Sequence, residues 1–191
     1  MGERRGFATP DERRRTFEQV YAACHDPVLG YVLRRADNAH DAADILAETF
    51  LTAWRRLEDM PRGDAARPWL YGIARRVLAN HYRGARRQAA LSERLRADLT
   101  ASYRPAEYDE DLAAVAAAFR ALSDDDRELL SLVGWEGLDP GQIATALGCS
   151  RNAVRIRLHR ARKRFARELE SREARTAAHT GQARVAKGEH A

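Results

Sequence analysis

The stretch LDPGQIATALGCSRNAVRIRLHRARKRF, residues 138–165, constrains the fold of this chain more than any other. Asp139 stands where a carboxylate can cap a helix. Pro140 follows at the first helical position, where its missing N–H costs nothing, and Gln142 completes the capping-box spacing. Gly148 can supply the left-handed stop, and Ser150 can cap a second helix after a very short turn. That second helix carries Arg151, Arg155, Arg157, Arg160, Arg162, Lys163 and Arg164, with no acid until Glu168. A short helix, a glycine turn and an arginine-studded helix are the parts needed to enter a DNA major groove.

Helical periodicity divides the second helix into two faces. Val154, Leu158, Ala161 and Phe165 share one side and should pack inward. The opposite side presents Asn152, Arg155, Ile156, His159 and Lys163, with Arg151 and Arg160 at its margins. Arginine grips guanine edges with two hydrogen bonds, asparagine reads adenine, and an exposed isoleucine can touch a thymine methyl. The remaining arginines read as phosphate contacts, which give affinity without sequence information. The alternative is a solvated basic helix with no DNA role.

Strand signals are almost absent elsewhere, so the expected fold class is all-α: two small helical domains on a flexible linker, the second a helix-turn-helix. A T-x-x-E box, Thr9 to Glu12 with Pro10, can open a first helix. Its inward stripe would be Phe17, Val20, Tyr21, Cys24, Val28, Tyr31 and Val32, interrupted near Pro27. A second helix is expected over about 40–57, then a turn-rich connector at 58–67, then a third helix from about Pro68. The pattern weakens after Arg87. The spacing therefore predicts a disordered start (1–9), a first domain (10–87), a linker (88–108), a second domain (109–169) and a disordered tail (170–191).

Two further faces carry chemistry. The third helix has no acid between Trp69 and Ser92, and Trp69, Arg76, Asn80 and Arg83 fall on one side with Arg75 alongside. Interleaved aromatics and arginines suit the stacking and holding of unpaired bases, although Trp69 and Tyr71 could equally be core. On the second helix Asp37, Asp41, Asp44 and Glu48 recur at helical spacing and end at Leu51. Such an acidic stripe repels DNA, so it either meets a basic protein partner or is simply solvated.

Other functions find little support. Cys24 and Cys149 are the only cysteines and lack any C-x-x-C spacing, so neither a disulfide framework nor a metal site is expected. No glycine-rich phosphate loop, nucleophile elbow or His-x-x-x-His pattern occurs, so no catalytic residues and no cofactor are expected. The charged start MGERRGFATPDERRR lacks the apolar core of a signal peptide. The longest apolar run, LAAVAAAF, is far short of the ~18 residues of a membrane span. The expectation is a cytoplasmic protein without membrane insertion. The net charge of +5 is modest, so the distribution of charge matters more than its sum.

The segments DAADILAETFLTAWRRL and RPWLYGIARRVLANHYR, followed by LSDDDRELLSLVGWEGLDPGQIATALGCSRNAVRIRLHRARKRF, resemble the two domains of extracytoplasmic-function (ECF) sigma factors of the sigma-70 family. The resemblance covers about residues 16–168. It implies a subunit that binds core RNA polymerase, directs it through −10 and −35 promoter elements and helps open the DNA. In that frame Asp41, Asp44, Glu48 and Leu51 would dock on the polymerase. Trp69, Arg75, Arg76, Asn80 and Arg83 would lie along the −10 strand, and the 58–67 connector would capture a flipped base. Arg151, Asn152, Arg155, Ile156, His159, Arg160 and Lys163 would face the −35 element. An anti-sigma factor is the further partner the resemblance implies.

Three other classes are set against this resemblance, one of them an interaction protein of the anti-sigma type, which commonly shows a His/Cys zinc signature that is missing here. A dimeric helix-turn-helix regulator would bind duplex DNA without polymerase. A small helical hydrolase would need a metal held by Asp41, Asp44 and Glu48.

Overall fold

A computed structural model describes residues 6–7, 9–61, 63–92 and 110–188. It contains seven α-helices and no strand among these residues: α1 (Pro10–Leu33), α2 (Ala39–Arg55), α3 (Ala66–Ser92), α4 (Glu110–Ala121), α5 (Asp124–Gly134), α6 (Pro140–Leu147) and α7 (Arg151–Gly188). By their contacts the helices group into two units, one of α1, α2, α3 and α6 and the other of α4, α5 and nearly all of α7. Residues 88–92 of the expected linker belong to α3, while its residues 93–108, and residues 1–5 and 8 of the expected N-terminal segment, lie outside the described residues.

In the first unit the helix starts follow the capping residues. Thr9 Oγ1 accepts from the N–H of Glu12, and Asn38 Oδ1 accepts from the N–H of Asp41 at 2.8 Å. α1 runs unbroken through Pro27, where the side-chain pattern suggested an interruption. A proline inside a helix costs about 3 kcal/mol. The flanking Cys24, Val28, Tyr31 and Val32 are all buried, and that burial offsets the lost hydrogen bond. Tyr21, expected inward, is exposed, whereas Tyr71 is core and packs on Tyr31 with ring centroids 4.9 Å apart. Ile45, Leu57, Leu70, Ile73 and Ala74 complete the centre of this unit. The connector between α2 and α3 consists of two short 3-10 turns, 57–59 and 63–65, anchored by buried Leu57 and Met60. α6 lies against α3 at Gly72, where a Cβ would sit 2.6 Å from the Ala146 carbonyl oxygen, so only glycine permits the approach.

The second unit closes around Ala118, Leu122, Leu129, Leu132, Val154, Leu158 and Ala161, all buried. Phe119 meets Trp135 and Phe165 edge-on at 5.3 and 6.4 Å, joining α4 to α5 and α7. α7 continues as helix to Gly188, through the stretch where composition pointed to a disordered tail. From residue 170 to Gly188 that stretch carries five alanines and three arginines, which are good helix formers, and contains no proline.

Candidate functional site

The capping box expected at Asp139 is present. Its carboxylate accepts from the N–H groups of Gly141 and Gln142 at 2.6 and 3.0 Å, and Gln142 Oε1 accepts the N–H of Asp139. These hydrogen bonds hold the Asp139 carboxyl below the usual range. Gly148, at φ +65°, ends α6 in the left-handed conformation, and α7 starts three residues later.

α7 divides along its length into a packed row and an exposed row. Val154 and Ala161 are fully buried and Leu158 nearly so, while Phe165 is half-buried. Arg151, Asn152, Arg155, Ile156, His159, Arg160 and Lys163 are all exposed. Arg164 departs from the phosphate-contact reading, because it is hydrogen-bonded within the protein, and Arg157 stands near an acid of α5. Arg164 donates two hydrogen bonds of 2.6 Å to the two oxygens of Asp126, and Arg157 lies 3.8 Å from Asp125. Asp126 is 5% exposed, and the Arg164 hydrogen bonds outweigh the effect of burial and hold its carboxyl below the usual range. The signal in the sequence is the acidic run of LSDDDR at the start of α5, facing arginines seven apart on α7.

On α3 the candidate residues separate. Arg75, Arg76, Asn80 and Arg83 are exposed, and Trp69 is half-buried. Asn80 and Arg83 are hydrogen-bonded to each other. Partial burial of Arg76, with like charge from Arg56 and Arg75, lowers its pKa from the ordinary arginine value. Arg76 also opens onto a groove of about 630 Å³ between α2 and α3. One wall carries Asp44, Glu48 and Thr52 from α2, the other Arg76, Asn80 and His81 from α3, over Ile45, Ile73 and Val77. The acidic stripe and part of the basic helix thus border one depression, a juxtaposition that periodicity along single helices cannot reveal.

Within the stripe, Asp44, Glu48 and Leu51 are exposed and Asp41 is half-buried. Glu48 accepts from Thr52 Oγ1 at 3.3 Å and lies 3.7 Å from Arg55, and Asp44 lies 3.6 Å from His40. No group of three or more metal-ligating side chains occurs among the described residues, and no described helix is long and apolar enough to cross a membrane.

The family description Sigma-70 region 2 matches residues 20–88, and Sigma-70 region 4 matches residues 112–165. The RNA polymerase sigma-H factor of Pseudomonas aeruginosa is 32% identical, covering 82% of this chain and 88% of that protein. The chain belongs to the sigma-70 family. Within that family, ECF RNA polymerase sigma factor SigL of Mycobacterium tuberculosis is 32% identical over 68% of this chain and 75% of its own length. A probable RNA polymerase sigma factor of Xanthomonas campestris, RfaY, is 33% identical over 82% of this chain, but the match spans 41% of that relative's length. The fold is that of sigma factor RpoE of Bartonella quintana, solved with the anti-sigma factor NepR. The two share a TM-score of 0.60 at 23% identity, over 82% of this chain and 98% of that one. In this sigma-70 family chain the region 2 match contains α2, the groove and most of α3, and the region 4 match contains α5, α6 and the exposed row of α7.

Proposed function

We propose that this ECF sigma factor binds core RNA polymerase, brings it to promoters through −10 and −35 elements and helps open the DNA. The observation that carries the reading is the exposed row of α7, Asn152, Arg155, Ile156 and His159 flanked by Arg151, Arg160 and Lys163. It follows a capped α6 across a left-handed glycine and lies inside a region 4 match. Residues 109–169 form the −35 module in this account, and residues 10–87 the −10 and polymerase module. Arg75, Arg76, Asn80, Arg83 and Trp69 meet the −10 strand, where arginine planes and an aromatic face can hold unstacked bases. Asp44, Glu48 and Leu51, with Asp41 at the edge, meet a basic surface of the polymerase.

The protein supplies position and strand capture, and the polymerase supplies the chemistry. It therefore needs no catalytic residue or cofactor of its own, and it acts in the cytoplasm. An anti-sigma factor is the expected regulator, as in the Bartonella complex. The test is selection of genomic fragments by core polymerase in the presence and absence of this chain. Enrichment of fragments sharing two spaced elements, only when both proteins are present, supports the reading. Tight polymerase-independent binding to a two-fold symmetric site supports a dimeric regulator instead.

A further inference from the structure

α7 carries more arginines than its DNA-facing row uses, and two of them face acids of α5. Arg157 and Arg164 lie seven residues apart, two turns of helix, on one flank of the packed row Val154, Leu158 and Ala161. The first turn of α5 faces that flank with Asp125 and Asp126. Their grips differ. Asp126 is 5% exposed and takes the Arg164 fork through both oxygens, each at 2.6 Å. Asp125 stands 3.8 Å from Arg157 with both side chains partly in solvent.

The support behind these acids is itself fixed. The N–H of Asp126 donates to Ser123 Oγ at 3.3 Å. Arg127 donates to the carbonyl oxygens of Arg120 and Leu122, both at 2.8 Å, and pairs with Asp124. The turn between α4 and α5 is thereby locked to the helix that presents the two acids.

A two-point arginine–carboxylate pair is planar and directional, so it sets orientation as well as distance. Burial of Val154, Leu158 and Ala161 alone would tolerate small rotations of α7 about its axis. A planar fork on the flank does not. The pairing also cancels the charge of Arg164 locally, so that arginine releases no counterion when DNA binds.

We propose that Asp126, assisted by Asp125, is a positioning residue for DNA reading: by holding Arg164 and Arg157 it removes two arginines from phosphate contact and sets the rotation at which Asn152, Arg155, Ile156 and His159 face the bases. This rests on the reading that α7 faces the −35 element. Asp126 and Arg164 touch no DNA and act on specificity through helix orientation.

The test uses full-length chain bound to core polymerase, on a promoter fragment that the wild-type complex selects and on the same fragment with its −35 element scrambled. Affinity is measured against salt concentration. Arg164→Met is expected to lower the promoter-to-scrambled ratio by about tenfold, comparable to losing one base contact, with an unchanged salt slope. Arg164→Lys keeps the charge but not the fork and should not restore the ratio. Asp126→Asn should lower the ratio while steepening the slope, because it frees Arg164 for phosphate; a purely structural role would not steepen it. Arg157→Met serves as the milder variant should Arg164→Met lose helix content by circular dichroism, and it should likewise leave the slope unchanged. A salt slope that falls by about 0.9 in Arg164→Met or Arg157→Met marks the arginine as a phosphate contact and overturns the inference alone. A wild-type complex indifferent to scrambling overturns the −35 reading beneath it, and the inference falls with it.

Discussion

His81 Nε2 lies 3.5 Å from Asp41 Oδ1, and through this pair α3 is tied to the first turn of α2. The other Asp41 oxygen accepts from Asn38 Nδ2 at 2.8 Å, while the Asp41 N–H is taken by the Asn38 side chain. A carboxylate in the first turn of a helix also meets the positive end of its dipole. Asp41 is therefore committed to structure, whereas Asp44 and Glu48 stay exposed on the groove wall. Three acids that look equivalent at helical spacing divide into one that holds the fold and two that face outward.

That division sets the first prediction. Asp41→Ala should cost about 1 kcal/mol of stability, since it leaves the Asn38 amide without its acceptor and removes the carboxylate beside the half-buried His81. Asp44→Ala, at an exposed position, should stay within about 0.5 kcal/mol of wild type. Urea denaturation followed by circular dichroism compares the two, and equal losses would contradict the division.

Acid should weaken the second unit through Asp126. Its folded pKa is depressed by the Arg164 hydrogen bonds, so its stabilisation is fully present above the unfolded carboxylate value, about 3.9. It is lost as pH falls through the lower folded value. The stability difference between wild type and Asp126→Asn should be flat above about pH 5 and shrink progressively below about pH 4. Denaturation midpoints across pH 2–7 read this out, and a difference that grows on acidification would reverse the assigned sign.

Core truncation should separate packing from surface chemistry. Leu129 is 1% exposed, and Leu129→Ala should cost about 2–5 kcal/mol through lost burial and the cavity left behind. Ile156→Ala removes a side chain that is 45% exposed and should change stability by no more than about 0.5 kcal/mol. Thermal and urea melts compare the two. If Ile156→Ala proved the more damaging to folding, the face assignment of α7 would be wrong.

Phosphate and base contacts should differ in their dependence on salt. Arg151→Ala and Arg160→Ala, at the margins of the exposed row, should each reduce the salt slope of promoter binding by about 0.9 and weaken all sequences alike. Asn152→Ala should leave the slope alone and relax preference at one base pair, by about 1–3 kcal/mol of discrimination. Binding isotherms at four salt concentrations distinguish the two classes.

Local chemistry was the legible part of this chain. The Asp139 capping box, the Thr9 cap and the left-handed Gly148 depend on residues within a few positions of each other, and each forms as spacing predicts. The inward row of α7 was legible for the same reason, since one helix period decides it. What escaped depends on neighbours distant in sequence. Periodicity placed Arg164 among exposed basic residues, but a long side chain on the flank of a packed row reaches Asp126, 38 positions earlier. Periodicity leaves open whether Trp69 and Tyr71 stack on bases or pack inward, and contact with the Tyr31 ring places Tyr71 in the core. Pro27 marks a break by local rules, and the burial of four side chains around it overrides them. The groove joining Asp44 and Glu48 to Arg76 and Asn80 exists only once α2 and α3 are packed.

The most direct measurement is run-off transcription with bacterial core polymerase on fragments of the source genome, with wild-type chain and with an Asp44→Arg/Glu48→Arg variant. Promoter-specific transcripts are expected with wild type and should vanish with the variant, while its helix content by circular dichroism is unchanged. Transcripts of equal yield from the variant would contradict the assignment of the acidic wall to polymerase docking. No transcripts from wild type with active core would contradict the account as a whole.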